Sequence, residues 1–62
     1  MDRKPIVGVT CEVDDRSFTS RRAYAEAILR AGGVPILLCP PADSSLAESV
    51  ARAHAAAVDA VV

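Results

Sequence analysis

The chain has 62 residues, of which 52% are hydrophobic, and a domain of this size buries only about 60% of the surface that its unfolded chain exposes. The formal net charge is −1 and the seven Lys and Arg residues are scattered apart from one adjacent pair, which argues against a nucleic-acid partner. Apolar runs fall well short of the ~20 residues that a membrane span needs, so we predict a cytoplasmic protein without a membrane partner.

The first strand is predicted at residues 5–11, where β-branched residues dominate and apolar side chains run almost continuously. Such a run is typical of a strand that is buried on both faces of a parallel sheet. The polar stretch at residues 12–20 predicts a loop, and Thr19 or Ser20 is expected to cap the helix that follows.

A first helix is predicted at residues 21–31, because apolar positions there recur at intervals of three and four and define one helix face. These positions are Tyr24, Ala27, Ile28 and Ala31. Glu26 and Arg30 are spaced for an ion pair outside that face. Gly32 and Gly33 predict the end of the helix, since glycine accepts left-handed backbone geometry.

A second buried strand is predicted at residues 34–39 and is closed by two prolines. Ser45 and Glu48 have the spacing of a capping box and predict the start of a second helix. The apolar face of that helix is predicted from Leu46, Val50, Ala53 and Ala57. Glu48 and Arg52 are spaced for an ion pair on its solvent side. A third strand is predicted at residues 58–62.

Strands that alternate with helices predict a parallel sheet with right-handed crossovers. The predicted fold class is α/β, the β-α-β-α-β start of a doubly wound, flavodoxin-like sheet with strand order 2-1-3. In that order the third strand is left as an apolar edge, which is a template for further pairing. We therefore expect residues 1–62 to be the incomplete N-terminal part of a single domain, which needs the remainder of that domain or a homo-oligomer.

Ligands of open α/β sheets bind at the carboxyl ends of the strands, where the strand order reverses. The loop at residues 12–20 and the start of the first helix lie at that edge. Four side chains there are candidate substrate-binding residues, namely Arg16, Arg21, Arg22 and Tyr24. Acidic counterparts in the same loop are Glu12, Asp14 and Asp15. The competing interpretation places the charged side chains on a solvated surface loop and Tyr24 in the core.

The two cysteines are expected to be buried, inert thiols, with a redox or metal-binding pair as the alternative. Cys11 and Cys39 follow adjacent predicted strands, but an activated thiol needs a neighbouring base or a helix N-terminus. His54 is the only histidine, and we expect it on the polar side of the second helix, remote from both strand ends. One histidine and two distant cysteines form no zinc pattern, so we predict no metal and no cofactor.

Two stretches of the chain stand out together, KPIVGVTC at residues 4–11 and YAEAILRAGGVPI at residues 24–36. With the strand DAVV at residues 59–62, their order and spacing resemble the start of the γ-glutamyl-γ-aminobutyrate hydrolase family. Members of that family are cysteine peptidases with the class I glutamine amidotransferase fold. The resemblance spans nearly the whole chain.

The resemblance implies hydrolysis of a γ-glutamyl amide of a small molecule through a thioester on a cysteine, which a histidine and an acidic residue activate. In the family these residues come later in the sequence. No catalytic residue is therefore assigned to this chain, which by itself is expected to be inactive, and the implied partner is a small γ-glutamyl substrate.

The competing function is a non-catalytic, flavodoxin-like binding or assembly module, because the same supersecondary start serves many unrelated proteins. The first predicted loop contains no glycine, which argues against a phosphate or flavin site at that position. A continuation of the sequence with a glycine pair directly after Val62 and a later Gly-x-Cys motif would favour the hydrolase.

Overall fold

The computed structural model describes residues 3–62. In chain order the elements are β1 (Ile6–Thr10), β2 (Glu12–Val13), β3 (Phe18–Thr19), α1 (Arg22–Arg30), β4 (Val34–Leu38), a 3₁₀ turn (Ser44–Leu46), α2 (Ala47–Ala57) and β5 (Ala60–Val61). This order confirms a mixed α/β architecture in which helices alternate with the three main strands. Among these described residues, no helix has the length and apolarity to cross a membrane.

A three-stranded parallel sheet in the order β4-β1-β5 organises the chain and confirms the predicted strand order. β1 pairs with β4 along its whole length, from Ile6 opposite Val34 to Thr10 opposite Leu38. Its pairing with β5 is shorter, and the Thr10 amide extends it by donating to the carbonyl of Val62 at 3.2 Å. β1 is therefore the strand to which both neighbours attach.

Asp59 ties the start of β1 to the start of β5. Its backbone amide donates to the carbonyl of Ile6 at 2.7 Å, and its carboxylate accepts the Ile6 amide, also at 2.7 Å. The same carboxylate pairs with Arg3 at 2.8 Å. Hydrogen bonds to a charged acceptor are among the stronger ones in proteins, so this residue fixes the register of a strand that is only two residues long.

The end of α1 confirms the predicted glycine stop. Gly32 has a φ of 91°, in the left-handed region that favours glycine. Its amide donates to the carbonyl of Leu29 at 3.1 Å, and the amide of Gly33 donates to the carbonyl of Ile28 at 2.9 Å. These bonds satisfy carbonyl groups of the last helical turn and lead the chain directly into β4.

The start of α1 differs from the prediction, because neither Thr19 nor Ser20 is the capping residue. Arg21 occupies the N-cap position in an extended conformation, and within residues 3–62 its side chain makes no capping hydrogen bond. Thr19 is engaged instead in β3, where it pairs with Glu12 of β2. A strand residue is not placed to reach the first amides of the helix.

The polar stretch after β1 forms a small antiparallel hairpin, so the prediction of a loop over its whole length is wrong. Glu12 of β2 lies opposite Thr19 of β3, and Val13 lies opposite Phe18. Each strand has two residues, which is too short for the alternation that identifies a strand in a sequence. The hairpin stands over the carboxyl end of β1.

Asp14 holds the turn of this hairpin. One oxygen of its carboxylate accepts the backbone amides of Arg16 at 2.7 Å and Ser17 at 2.8 Å, and the other accepts the Ser17 hydroxyl at 3.0 Å. The Asp14 amide in turn donates to the carbonyl of Ser17 at 3.1 Å. Aspartate favours such turns because its short side chain reaches the amides two and three residues ahead.

Asp43, and not the predicted capping box, begins the second helical segment. Its carboxylate accepts the Ser45 hydroxyl at 2.7 Å and the Ser45 amide at 2.9 Å, and these two hydrogen bonds lower the pKa of Asp43. The bonds cap the 3₁₀ turn at Ser44–Leu46, from which α2 continues. Glu48 does not reach back to the cap, since it pairs with Arg52 as the sequence predicted.

An ion pair on α1 also differs from the prediction. Glu26 accepts a hydrogen bond from Nε of Arg22 at 3.0 Å, one turn towards the N-terminus, instead of pairing with Arg30. Both pairs have the four-residue spacing, but the observed pair has the arginine N-terminal to the glutamate, which is the less favourable orientation on a helix. The consequence is that Arg22 is engaged in an ion pair within the helix.

The helix faces that approach the sheet are shifted from those predicted. In α1 the half-buried positions are Ala25 and Ile28, whereas Tyr24 is 48% exposed. In α2 the half-buried positions are Val50 and His54. α2 is rich in alanine, so its apolar and polar sides differ little and packing against the sheet decides its orientation.

The described chain buries little apolar surface. Val9 of β1 is the one apolar side chain that is buried within residues 3–62, at 3% exposure. Large apolar side chains of the outer strands are exposed, among them Leu37 at 49% and Val61 at 57%. The prediction of burial on both faces therefore holds for the Gly8-Val9 part of β1 and is wrong for β4.

We expect residues 1–62 on their own to lack a sharp, two-state unfolding transition as a monomer, because one buried apolar side chain is a small core. Thermal unfolding followed by circular dichroism, together with sedimentation equilibrium, checks this expectation. The expected result is a broad transition or a concentration-dependent mass. A steep transition at monomer mass would contradict it.

Acid is expected to loosen the hairpin turn. Hydrogen bonds from the amides of Arg16 and Ser17, and then from the Ser17 hydroxyl, lower the pKa of Asp14. Because the carboxyl has a lower pKa in the folded state, its stabilising effect is present above the ordinary aspartate pKa of about 3.9. That effect is lost as the pH falls through the lowered value.

Amide NMR during an acid titration measures this effect. The amide resonances of Arg16 and Ser17 should shift with a midpoint below about 3.9. In Asp14→Asn this titration should vanish, whereas Asp15→Asn, which changes the neighbouring carboxylate, should leave it in place. A midpoint at or above the ordinary value would contradict the role of Asp14.

Candidate functional site

A cavity of about 620 Å³ opens at the carboxyl end of β1, between the hairpin and the start of α1. Its lining residues are Thr10, Cys11, Glu12, Thr19, Ser20, Arg21 and Tyr24. The end of β1, the base of the hairpin and the first turn of α1 each contribute side chains. The cavity therefore lies at the edge of the sheet where the sequence predicted ligand binding.

Hydroxyl groups form much of the cavity lining. Thr19 and Ser20 come from the return strand of the hairpin and the residue after it, and Tyr24 comes from the first turn of α1. The hydroxyl of Thr10 donates to the carbonyl of Val62 at 3.3 Å, which joins this edge of the cavity to the chain beyond β5. Such groups both donate and accept hydrogen bonds, which suits a small polar ligand.

Two residues of opposite charge line this cavity, Glu12 and Arg21. Arg21 is also the N-cap position of α1, a helix whose first turn contains no acidic residue. Backbone amides and the helix dipole place partial positive charge at such a terminus. The arginine side of the cavity is therefore suited to an anionic group, and the glutamate side to a cationic one.

The four predicted substrate-binding residues fall into two groups. Arg21 and Tyr24 line the cavity. Arg22 does not line this cavity and pairs with Glu26; together with Arg21 it lines a smaller cavity of about 200 Å³ between α1 and β4. Arg16 lies at the hairpin turn, where its backbone amide binds Asp14.

Sequence reasoning did not assign a lining role to Thr10, Thr19 or Ser20. Thr10 was counted in the first buried strand, and the other two were expected to cap α1. A signal for them exists in the sequence, since Thr10 is the last residue of β1 and Thr19 and Ser20 come shortly before α1, the two elements that meet at the cavity. The half-exposed Tyr24 also excludes its alternative placement in the core.

Cys11 lines the cavity, but its thiol is not activated. It is half-buried, and its Sγ donates to the carbonyl of Leu38 at 3.3 Å. Desolvation raises the pKa of Cys11, and the nearby thiol of Cys39 raises it further. A raised pKa keeps the sulfur protonated at neutral pH, whereas a nucleophilic cysteine needs the thiolate.

The cysteines differ in accessibility, so the prediction that both are buried is wrong for Cys39, which is exposed. The reason is that β4 is an edge strand here, and its end is uncovered. Within residues 3–62, no three side chains of the histidine, cysteine, aspartate and glutamate types cluster as a metal site would require.

His54 lies on the sheet side of α2 and not on its polar side, which corrects the prediction. It is half-buried and lines a cavity of about 340 Å³ between α2 and the sheet. That cavity also contacts Thr10, Leu38 and Pro40, so the imidazole lies near the strand ends rather than remote from them.

Comparisons with protein-family models, with curated proteins and with solved structures found no match to the chain. The resemblance to γ-glutamyl-γ-aminobutyrate hydrolases therefore rests on the sequence stretches quoted above. What the structure itself establishes is an α/β chain with a parallel sheet and a polar cavity at its carboxyl edge.

Proposed function

We propose that this chain is the N-terminal part of a hydrolase that cleaves γ-glutamyl amides of small molecules, and that its cavity binds the γ-glutamyl group. The observation that carries the proposal is the presence of Glu12 and Arg21 in one polar cavity at the carboxyl edge of the sheet. The sequence resemblance supports the same substrate class independently of the cavity.

A γ-glutamyl group carries an α-carboxylate and an α-ammonium on one carbon atom. In the proposed complex Arg21 binds the carboxylate, since a guanidinium pairs with carboxylates through two parallel hydrogen bonds. Glu12 accepts hydrogen bonds from the ammonium. Tyr24 and the neighbouring hydroxyls line the part of the cavity that leads from the α-carbon towards the scissile amide.

The proposed reaction passes through a γ-glutamyl thioester on a cysteine outside residues 1–62. Acyl transfer needs a nucleophile, a base and oxyanion donors within hydrogen-bond reach of one carbonyl. Cys11 is not that nucleophile in our proposal, because its thiol is held protonated against Leu38. The chain supplies one wall of the site.

We place this wall in a flavodoxin-like domain of the class I glutamine amidotransferase type, located in the cytoplasm. The order β4-β1-β5 is compatible with the core of such a sheet. In this proposal the rest of the domain, or a second copy of the chain, covers the exposed outer strands.

A second candidate function is a non-catalytic assembly module, which the exposed apolar side chains of the sheet favour. Leu37 of β4 and Val61 of β5 are each about half exposed, on opposite edges of the sheet. An uncovered strand edge pairs readily with another chain. Under this alternative the cavity has no preference for γ-glutamyl compounds.

Two neighbouring arginines provide a matched test of the cavity. In the hydrolase that contains this chain, Arg21→Ala should raise KM for a γ-glutamyl amide by about tenfold or more, since a charged hydrogen bond contributes roughly 1.5–3 kcal/mol. Arg22→Ala should change KM by less than about twofold, because a surface ion pair with Glu26 contributes little. Steady-state kinetics measures both.

Substitution of Glu12, the acidic residue of the cavity, offers a second comparison of binding. Glu12→Gln keeps the size of the side chain and should weaken binding of the γ-glutamyl ammonium, with little change for an analogue that lacks the amine.

Equal kinetics for Arg21→Ala and the parent enzyme would exclude the proposed pocket. Absence of any γ-glutamyl hydrolysis by the parent protein would favour the assembly module.

A further inference from the structure

The parallel pairing of β1 and β4 brings the two cysteines of the chain to the same place. The last paired residues of these strands are Thr10 and Leu38. Cys11 and Cys39 directly follow these two paired residues in the chain. Residues in register on neighbouring parallel strands project to the same face of the sheet.

The distance between neighbouring strands also suits a disulfide bond between the two cysteines. Adjacent strands lie about 4.8 Å apart, and cysteines joined in a disulfide have Cα atoms roughly 4.4–6.8 Å apart. Sγ of Cys11 lies 3.3 Å from the carbonyl oxygen of Leu38, the residue directly before Cys39. The thiols follow the ends of the strands, where the backbone is less restrained than inside the ladder.

We propose that Cys11 and Cys39 form a reversible disulfide by exchange with a low-molecular-weight disulfide such as oxidised glutathione. The Cys39 thiolate attacks one glutathione sulfur, forms a mixed disulfide and releases one glutathione thiolate. The Cys11 thiolate then attacks Sγ of Cys39 and releases the second. The protein loses two electrons and two protons, and oxidised glutathione is reduced to two glutathione molecules.

The difference in solvent exposure between the two cysteines sets the order of the two exchange steps. Cys39 is exposed and can meet a bulky disulfide, whereas Cys11 is half-buried and its Sγ is hydrogen-bonded to Leu38. The raised pKa of Cys11 also makes it the slower thiol in a first encounter. Once Cys39 carries glutathione, the second step is intramolecular and proximity compensates for the low fraction of thiolate.

The bond has a direct consequence for the cavity at the end of β1, because Cys11 is part of its lining. A disulfide would tie this rim to the end of β4 and fix the start of the hairpin. The redox state of the chain would then control the shape of the cavity. This consequence is separate from the proposed γ-glutamyl specificity and holds for any ligand of the cavity.

Thiol titration of the purified protein tests the proposal. Reduced protein is incubated with oxidised glutathione, alkylated with a maleimide and weighed by mass spectrometry under non-reducing conditions. In native buffer we expect a monomer about 2 Da lighter with both thiols protected, formed at least about tenfold faster than in concentrated guanidinium chloride. Equal rates in both solvents would overturn the proposal, as would exclusive formation of disulfide-linked dimers.

Single serine variants test the order of attack. Cys11→Ser, which keeps the exposed thiol, should accumulate the glutathione adduct, and Cys39→Ser should remain mostly unmodified over the same time. Reduction with dithiothreitol should restore two titratable thiols in the parent protein. Faster modification of Cys39→Ser than of Cys11→Ser would overturn the assignment of Cys39 as the attacking thiol.

Discussion

Pairing of β1 with a neighbour on each side is the constraint from which the rest of this structure follows. The central strand holds Val9, the buried side chain of the described core, and its carboxyl end supplies the floor of the polar cavity. Both flanking strands are reached through helices, so each helix must cross the sheet to place the next strand beside β1. A shift in the register of β1 against its neighbours would displace the cavity, the two cysteines and the hydrogen bonds of Asp59 together.

At the centre of the sheet, the close approach of β1 and β4 requires a glycine at position 8. A Cβ added to Gly8 would lie 2.6 Å from a methyl carbon of Leu38. Glycine therefore leaves the space that the leucine of the neighbouring strand fills, next to the residues at which β1 and β4 end. The cavity and the two cysteines lie at the ends of these same strands. The residues that pack inside the sheet therefore also position the groups at its edge.

The carboxyl edge of the sheet combines features that belong to different elements. The hairpin contributes Glu12, the cap of α1 contributes Arg21, and β1 contributes the half-buried thiol. Their meeting in one cavity gives a chemical reason to associate the chain with small zwitterionic ligands. The proposed disulfide would add sensitivity to oxidation at the rim, because Cys39, the residue that follows β4, is exposed.

The sequence by itself determined the identity and order of the main elements, since the apolar runs at β1 and β4 and the glycine stop after α1 are local signals. It also predicted the edge of the sheet at which the cavity lies, because parallel strands present their carboxyl ends together. Tertiary structure alone decided which residues share that edge: it separated Arg21 from Arg22, and it turned His54 towards the sheet. These outcomes depend on helix rotation and hairpin pairing, which an alanine-rich helix and two-residue strands do not encode in their local pattern.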